Sequence, residues 1–592
     1  MKRSILLIFV FVLSACGGGG GSDGGSNGSP GVPPGTPDVT WTTRLSGPAG
    51  VLGGVASSGS LIVAVGDAIL SSSDGVHWTR RANASALSAV IWTGTQFVAV
   101  GEFAAIRTSP DGITWTGHGP SVFDDFHAVA ASPTLIVTVG ENGAIYTSPT
   151  GQTWTPRVSP ATGFLNGVAW SGDKFVAVGS VGVVLTSPDG ITWTLGTNQT
   201  DDLAAVTWGN NLFVAVGPGL NTIRTSPDGI TWTLRDSGTT ASLNSVTWTG
   251  TQFIAGGGDG MTATSPDGVT WTPHAVGNPG LVVTDVAWTG TQFVAVGFGD
   301  DGSSDGHIYT STDGITWRPR ATDSTFRAIA WSGSRFVAVA DAGFSAASTD
   351  GLNWDFGHTG GRDYFKDVVW HSGTSEFVAI AQNTTLGNSI FRSTDGILWA
   401  KDGAPIDGAG GLATSGSLFV HVRNGFGGPL IDTSPDAVTW TGRTTPPGQI
   451  LWEVAWAGGQ FIAVGNSGAI ATAPSDGISW TARTSGVTAP LNGVAFCGTQ
   501  YAAVGDSGTI VTSPDGISWT PRTSGVTSTL KQVECANNQF VAVGSSTILQ
   551  SADGINWVKP TTGLLDFVDV AWSSTLQRTV VVGGPGLFVT SP

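Results

Sequence analysis

The sequence predicts an all-β protein of fourteen four-stranded blades, arranged as two tandem seven-bladed β-propellers. The composition favours strands and turns: the 592 residues include 88 Gly and 30 Pro, whereas helix formers are scarce, with 2 Met, 6 Lys and 5 Glu. A unit of about 40 residues also repeats from residue 38 to the end, and a period of this length is typical of propeller blades.

The clearest copy of the repeat runs from Leu165 to Thr194 and contains four short β-prone runs separated by turn residues. We name these predicted strands A to D. Strand A ends at Trp170, strand B at Gly179 and strand C at Ser187, and strand D contains Trp193. The Trp of strand D closes thirteen complete units, at positions 78, 115, 154, 193, 232, 271, 317, 354, 399, 440, 480, 519 and 557.

The turn between strands C and D has a physical explanation in its residues. In Ser109-Pro110-Asp111-Gly112, Pro sets φ for a type I turn, Asp suits the next position, and Gly supplies the left-handed residue of a bulged hairpin. The Gly that ends strand B is predicted to occupy a positive-φ or closely packed position.

Two fragments complement the thirteen units. The chain begins with a lone strand D around Trp41 and ends with strands A, B and C alone. A propeller leaves open sheet edges unless its first and last strands pair, so the fragments are predicted to complete a fourteenth blade. Because single rings usually have four to eight blades, we expect two rings, over residues 38–317 and 318–592. The strand at Trp317 either completes the seventh blade or begins the second ring.

The repeated Ser-Pro-Asp-Gly-Ile-Thr-Trp resembles the Asp box (BNR repeat) of sialidase-superfamily propellers, and the chain is similar to photosystem II assembly-factor-like propellers. The box is one residue shorter here than usual, with Asp and Gly adjacent. The resemblance covers nearly all of residues 38–592 and implies a propeller. Its relatives include sialidases, two-ring glycosidases and assembly factors, and the box itself specifies no chemistry.

The amino terminus predicts a lipoprotein. Lys2 and Arg3 precede an apolar run over residues 4–13, which is the layout of a secretory signal peptide. The following Leu-Ser-Ala-Cys16 resembles a bacterial lipobox, so we expect a signal peptide over 1–15, lipid attachment at Cys16, and a Gly/Ser/Pro-rich tether over 16–37. The residue after the Cys is Gly rather than Asp, which by resemblance implies the outer membrane, on its periplasmic or surface face.

Composition also limits partners and cofactors. The sequence pI of about 4.7 and the total of 25 Lys and Arg argue against nucleic-acid binding. Three Cys provide no metal-binding cluster, and no cofactor is expected. The loop at residues 300–305, with three Asp, is read as an enlarged hairpin loop or, alternatively, as a calcium site.

No catalytic residue is assigned. The Arg-Ile-Pro motif that the sialidase resemblance would bring is absent from the sequence. The competing enzyme hypothesis is a secreted glycoside hydrolase of the two-ring type, with a carboxylate pair about 5 to 9 Å apart in the cleft between the rings. We expect the protein not to be an enzyme.

The candidate ligand site follows from comparing the two residues before the central Val of each strand A. In the first half they are small and mostly uncharged, whereas in the second half cations, carboxylates and a Trp converge, close to an unusual Tyr. These candidates are Arg327, Tyr364, Lys366, Asp367, Trp452, Glu453, Lys531 and Asp569. One interpretation is a set of mutually neutralised salt bridges; the other is a polar pocket for a glycan or peptide, with Trp452 or Tyr364 stacking on the ligand.

Cys497 and Cys535 lie 38 residues apart, one blade, at the ends of neighbouring A strands. They are predicted to form either a disulfide across blades or two buried thiols.

These features together predict a membrane-anchored envelope lipoprotein whose tandem propeller binds glycan or protein, or serves as an assembly scaffold. Its partners would be the membrane, through the lipid, and an unidentified glycan or protein. A passive structural surface protein is the third possibility.

Overall fold

Short antiparallel strands account for almost all of the secondary structure in a computed structural model of the protein. The structure describes residues 42–45, 50–84, 86–120, 122, 124–196, 200–219, 222–299, 306–322, 324–383, 387–406, 408, 410–423, 431–560, 566–584 and 586–591. Within these residues the strands form fourteen sheets, thirteen with four strands and one with three. The first strand, β1 (Thr42–Leu45), does not join the strands that follow it.

The next twenty-eight strands form seven sheets, each in the order A-B-C-D from its innermost strand outward. They are β2 to β5 (Leu52–Ser57, Ile62–Gly66, Ala68–Ser72, Thr79–Asn83), β6 to β9 (Leu87–Trp92, Phe97–Gly101, Ile106–Ser109, Thr116–Gly117), β10 to β13 (Phe126–Ala131, Ile136–Gly140, Ile145–Ser148, Thr155–Pro156), β14 to β17 (Leu165–Trp170, Phe175–Gly179, Val184–Ser187, Thr194–Leu195), β18 to β21 (Ala205–Gly209, Leu212–Val216, Ile223–Ser226, Thr233–Arg235), β22 to β25 (Leu243–Trp248, Phe253–Gly257, Met261–Ser265, Thr272–Ala275) and β26 to β29 (Leu281–Trp288, Phe293–Gly299, Gly306–Ser311, Arg318–Thr322).

These seven sheets close into the first ring. Each strand A packs beside the strand A of the next sheet, and β26 packs beside β2 to complete the circle. Among the described residues, three hydrogen bonds join the last blade to the first: the Val55 amide donates to Asp285 (2.9 Å), the Thr284 hydroxyl donates to the carbonyl of Leu52 (2.7 Å), and the Gln292 side chain donates to the carbonyl of Asp74 (2.6 Å). Strand β29 therefore completes the seventh blade, which decides between the two closures considered from the sequence.

The remaining strands form seven further sheets in the same order. They are β30 to β33 (Phe326–Trp331, Phe336–Ala340, Phe344–Ser348, Asp355–His358), β34 to β37 (Tyr364–His371, Glu376–Gln382, Asn388–Ser393, Ala400–Ile406), β38 to β41 (Leu412–Thr414, Phe419–Val422, Ile431–Ser434, Thr441–Arg443), β42 to β45 (Leu451–Ala457, Gln460–Gly465, Ile470–Ala473, Thr481–Arg483), β46 to β49 (Leu491–Cys497, Gln500–Gly505, Ile510–Ser513, Thr520–Arg522), β50 to β52 (Leu530–Ala536, Gln539–Gly544, Thr547–Ser551) and β53 to β55 (Asp566–Ser573, Arg578–Gly584, Leu587–Ser591).

The second ring closes through both ends of the chain. Strand β53 packs beside β30, and the Ile329 amide donates to Asp569 (2.8 Å) across this junction. Strand β1 pairs with β55, with Thr42 opposite Thr590, and supplies the outer strand of the last blade. Residues 42–45 thus complete the fourteenth blade, as predicted, and belong to the second ring, whereas the predicted boundary of 38–317 assigned them to the first. The reason is the chain's strand count, which leaves the last blade one strand short.

In the described part of the chain, six single-turn 3₁₀ segments follow B strands, three in each ring. They are Glu102–Ala104, Glu141–Gly143, Ser180–Gly182, Asp341–Gly343, Asn466–Gly468 and Asp506–Gly508. The Gly that ends strand B is extended rather than left-handed, with φ of −166° at Gly179. A Cβ there would lie 1.9 Å from the carbonyl oxygen of Phe164, so close packing of the backbone requires this Gly.

The Asp-box turn is held by its own side chains, as the blade at residues 165–195 shows. The Ser187 hydroxyl donates to Asp189 (3.1 Å), whose carboxylate accepts the amides of Ile191 and Thr192, both at 2.8 Å. These amides, that of Thr192 most, hold the pKa of Asp189 below its usual value. Gly190 has a φ of +71°, and its carbonyl accepts the Trp193 indole N–H (3.0 Å). The predicted roles of Asp and of the left-handed Gly in this turn are thereby confirmed.

Candidate binding site in the axial channel of the second ring

The innermost strands of the second ring surround an axial channel of about 320 Å³. Strand A carries a β-bulge near its start in most blades, as between Leu451 and Glu453 in β42. A bulge re-aims the side chains next to it, and Glu453 is among the residues that line the channel. The residues that differ between blades at this bulge therefore determine the chemistry of the channel.

Among the described residues, four carboxyl groups line this channel, and we call them the channel carboxyls: Asp367, Glu453, Glu534 and Asp569. Three of them were predicted as site residues. Glu534 was missed, although the sequence held a signal, because it replaces the small residue that precedes the strand A Trp, such as Ala169. All four are only partly exposed to solvent.

Two channel carboxyls connect neighbouring blades. Asp569 accepts the Ile329 amide, as described, and also the amide of Val570 (2.8 Å). Asp367 accepts the Leu412 amide (2.7 Å) of the next blade. Burial nevertheless outweighs these bonds and raises the pKa of Asp569 to about 7, and it also raises the pKa of Asp367, with a contribution from the charge of Asp569.

The other two have fewer partners. Among the described residues, Glu453 accepts only the amide of Val454 (3.2 Å), and Glu534 only that of Cys535. Burial raises the pKa of Glu453 well above its usual value, and the charges of Asp367 and Asp569 add to this. Burial also raises the pKa of Glu534 to about 7. The channel is therefore a place where negative charge is poorly compensated.

The predicted cations lie apart from these carboxyls. Arg327 pairs with Asp341 (2.5 Å), in the 3₁₀ turn that follows strand B, and Lys531 pairs with Asp566 (2.8 Å). Arg327 and Lys531 therefore form salt bridges, but with Asp341 and Asp566 rather than with the candidate carboxylates. The cations have partners that the comparison of strand A positions left out, because those partners lie on other segments.

The remaining predicted residues have different surroundings. The Trp452 indole N–H donates to the Leu491 carbonyl (2.9 Å), the same link between blades that Asn166 makes to the Leu203 carbonyl (2.9 Å) in the first ring. The indole N–H of Trp452 is thus used in a hydrogen bond between blades. Lys366 is exposed and forms no ion pair with any described residue. Tyr364, two residues earlier on β34, is half-buried.

Aromatic side chains line the other end of the channel. Trp331, Trp370 and Trp456, which we call the Trp collar, stand at or near the ends of their A strands and are half-buried. Each packs against the Phe of strand B in its own blade, with ring centroids 4.4, 4.8 and 4.7 Å apart, respectively. This packing fixes the indoles around the opening.

The first ring provides an internal comparison. Its channel contains two cavities. One, of about 250 Å³, is lined mainly by small side chains, and the other, of about 350 Å³, is lined in part by Trp. Among the described residues lining them, Asp285 is the one carboxyl. It accepts the amides of Val55 and Val286 and the Ser245 hydroxyl (3.0 Å), and burial raises its pKa to about 6. The two channels thus differ in the number of carboxyls that line them.

A disulfide joins Cys497 and Cys535, with their Cα atoms 5.1 Å apart. It links β46 to β50, the innermost strands of neighbouring blades, next to the channel carboxyl Glu534. The structure thus adopts the disulfide rather than the alternative of two buried thiols.

Three further observations complete the site. Within the described ranges, no group of three or more His, Cys, Asp or Glu side chains is arranged to hold a metal ion. No helix in the described part of the chain is long and apolar enough to cross a bilayer. The signal peptide, Cys16, the whole tether and the Asp-rich loop at 300–305 lie outside the described residues.

The fold and its closure define the class of protein as a tandem β-propeller, which confirms the predicted fold class. No family model and no curated protein matches the chain. Among solved structures, one described as "YCF48 bound to D1 peptide" is similar at 18% identity, over 43% of this chain and 93% of that chain, with a TM-score of 0.37.

Proposed function

We propose that this protein is a binding module of the cell envelope, anchored in the outer membrane by a lipid on Cys16, and that the second ring contacts its glycan or protein ligand. One observation carries the proposal: two rings of the same architecture differ in that, among the described residues, four carboxyl groups line the axis of the second and one lines the axis of the first. A difference of this kind between repeats is expected at a ligand site, since the fold alone does not require it.

The rim of the second ring, defined by Arg327, Tyr364, Lys366, Trp452 and Lys531, supports a polar ligand. The ion pairs with Asp341 and Asp566 hold two of these cations in fixed positions, and fixed donors lose little conformational entropy on binding. Lys366 supplies a cation with no ion-pair partner among the described residues. An acidic or hydroxyl-rich ligand, such as an envelope glycan, fits this set.

The envelope location rests on the sequence of residues 1–37 and on the disulfide. Disulfides persist in oxidising compartments such as the periplasm or the cell surface, and they are rare in a reducing cytosol. The glycosidase alternative has no support in the comparisons.

Reversing the rim charges tests the ligand site. A Lys366→Glu/Lys531→Glu variant should bind the envelope ligand, identified by glycan array or by capture from envelope extracts, at least tenfold more weakly, because both cations become repulsive. Affinity is measured by biolayer interferometry. A Lys174→Glu/Lys559→Glu variant has the same charge change away from the rim and should bind normally; equal affinity of both variants and the wild type would refute the rim.

Replacing the acylated residue tests the anchor. Cys16→Ser should move the protein from the membrane fraction to the soluble envelope fraction and abolish incorporation of an alkyne-tagged fatty acid, because the thiol is the acylation site. Cys497→Ser/Cys535→Ser serves as the control and should keep the label. Labelling of the Cys16→Ser protein would contradict the assignment.

A further inference from the structure

Charge and aromatic surface meet in the channel of the second ring. The channel carboxyls and the three indoles of the Trp collar line the same cavity, so a group that enters past the indoles reaches carboxylate oxygens. At about 320 Å³, the space is at the small end of ligand sites. Its size suits one long side chain rather than a folded partner.

The carboxyls in this cavity have unused capacity for hydrogen bonds. A carboxylate offers about four acceptor positions, and in the described part of the chain Glu453 and Glu534 each accept only the amide of the next residue. No described Lys or Arg pairs with any channel carboxyl, since the nearby cations Arg327 and Lys531 pair with Asp341 and Asp566. The donors that would satisfy these oxygens have to come from outside.

The first ring shows that the fold does not require this arrangement. Asp285, at the same position of its last blade as Asp569, has two amides and the Ser245 hydroxyl as donors. Trp residues also line that channel, including Trp92, Trp248 and Trp288. Among the described residues, the channel of the second ring therefore has three more carboxyls than that of the first.

We propose that the channel of the second ring binds an arginine side chain of a partner polypeptide, which enters through the Trp collar and donates to Glu453 and Glu534. A guanidinium is favoured over other cations because it stacks on indole faces and donates in pairs to carboxylates. The inference rests on the proposed function, in that it names a partner chemistry for the same binding module, but it uses the channel interior rather than the rim.

The test uses the mature protein and a fluorescein-labelled peptide, Gly-Ser-Arg-Ser-Gly, with its citrulline analogue, which has nearly the same shape and no charge. Fluorescence polarisation should show the arginine peptide binding at least tenfold more tightly. A Glu453→Gln/Glu534→Gln variant should lose that preference. Asp173→Asn/Asp236→Asn removes the same two charges from the exposed surface of the first ring and should retain it.

Several outcomes would overturn the channel site. These are no binding of the arginine peptide, equal binding of the citrulline peptide, or equal losses in the two charge-matched variants. Should the Gln variant not fold, as judged by circular dichroism, Trp370→Ala takes its place and is expected to weaken binding at least fivefold. The rim variant Lys366→Glu/Lys531→Glu should still bind the arginine peptide, so a failure of the channel and a failure of the rim give different results.

Discussion

A chain that begins at Gly50 should lose the outer strand of the last blade, and the melting temperature of the second ring should fall by about 10 °C. Strand β1 pairs with β55 at three positions, opposite Thr590, Val589 and Phe588. The lost backbone hydrogen bonds and the newly exposed sheet edge correspond to about 3 kcal/mol, and about 1 kcal/mol shifts the melting temperature of a domain this size by roughly 3 °C. The first ring should be unaffected, because it closes through β2 and β26.

Differential scanning calorimetry measures this shift, and hydrogen exchange of residues 587–591 locates it. A chain that begins at Asp38 is the matched control, because it lacks the tether but retains β1, and it should melt like the mature protein. Adding a peptide of residues 38–47 should restore protection at β55 by strand addition. A normal melting temperature for the chain that begins at Gly50 would show that β1 does not stabilise the second ring.

The second ring should also be several degrees more stable at pH 5 than at pH 8. The channel carboxyls have pKa values raised above those of the unfolded chain, to about 7 for Glu534 and Asp569. Their contribution is fully present below about pH 4 and is lost as the pH rises through 7, because the charged form is disfavoured in the folded protein. A single shift of this size corresponds to about 3 kcal/mol, and the contributions of interacting groups do not add.

Glu534→Ala tests this cause directly. Alanine is the residue that the repeat has at this position in other blades, such as Ala495 and Ala571, so little strain is expected. The variant should melt at a higher temperature than the wild type at pH 8 and at the same temperature at pH 5. The Asp-box carboxylates do not confuse the comparison, since their pKa values are lowered and they titrate below this range. An unchanged pH dependence in the variant would exclude Glu534 as a source.

Local chemistry explains what the sequence could predict. The number of blades followed from the Trp spacing, because each Asp box is stabilised by groups within six residues, as in Ser187 to Trp193. The pairing of β1 with the last blade also followed from the sequence, because the lone strand D at the start complements strands A, B and C at the end, although Thr42 and Thr590 lie 548 positions apart.

The site was predictable only in part, for a related reason. Departures from the repeat identified Asp367, Glu453 and Asp569 as unusual, and the structure brings them into one channel. The partners of the cations Arg327 and Lys531 were not predicted, because Asp341 and Asp566 lie on segments outside the compared positions. Trp452 looked like a ligand platform, yet its indole replaces the Asn that links blades elsewhere.

The closure of the second ring through β1 also sets an order in time. During synthesis, every strand of the first ring is available once Thr322 has been made, so that ring can close while the rest of the chain is still being produced. The second ring has to wait for β55, made last, to pair with β1, made first. Until then β1 is an unpaired strand beside a finished ring, and we expect factors that protect exposed strands to act on this segment before any other.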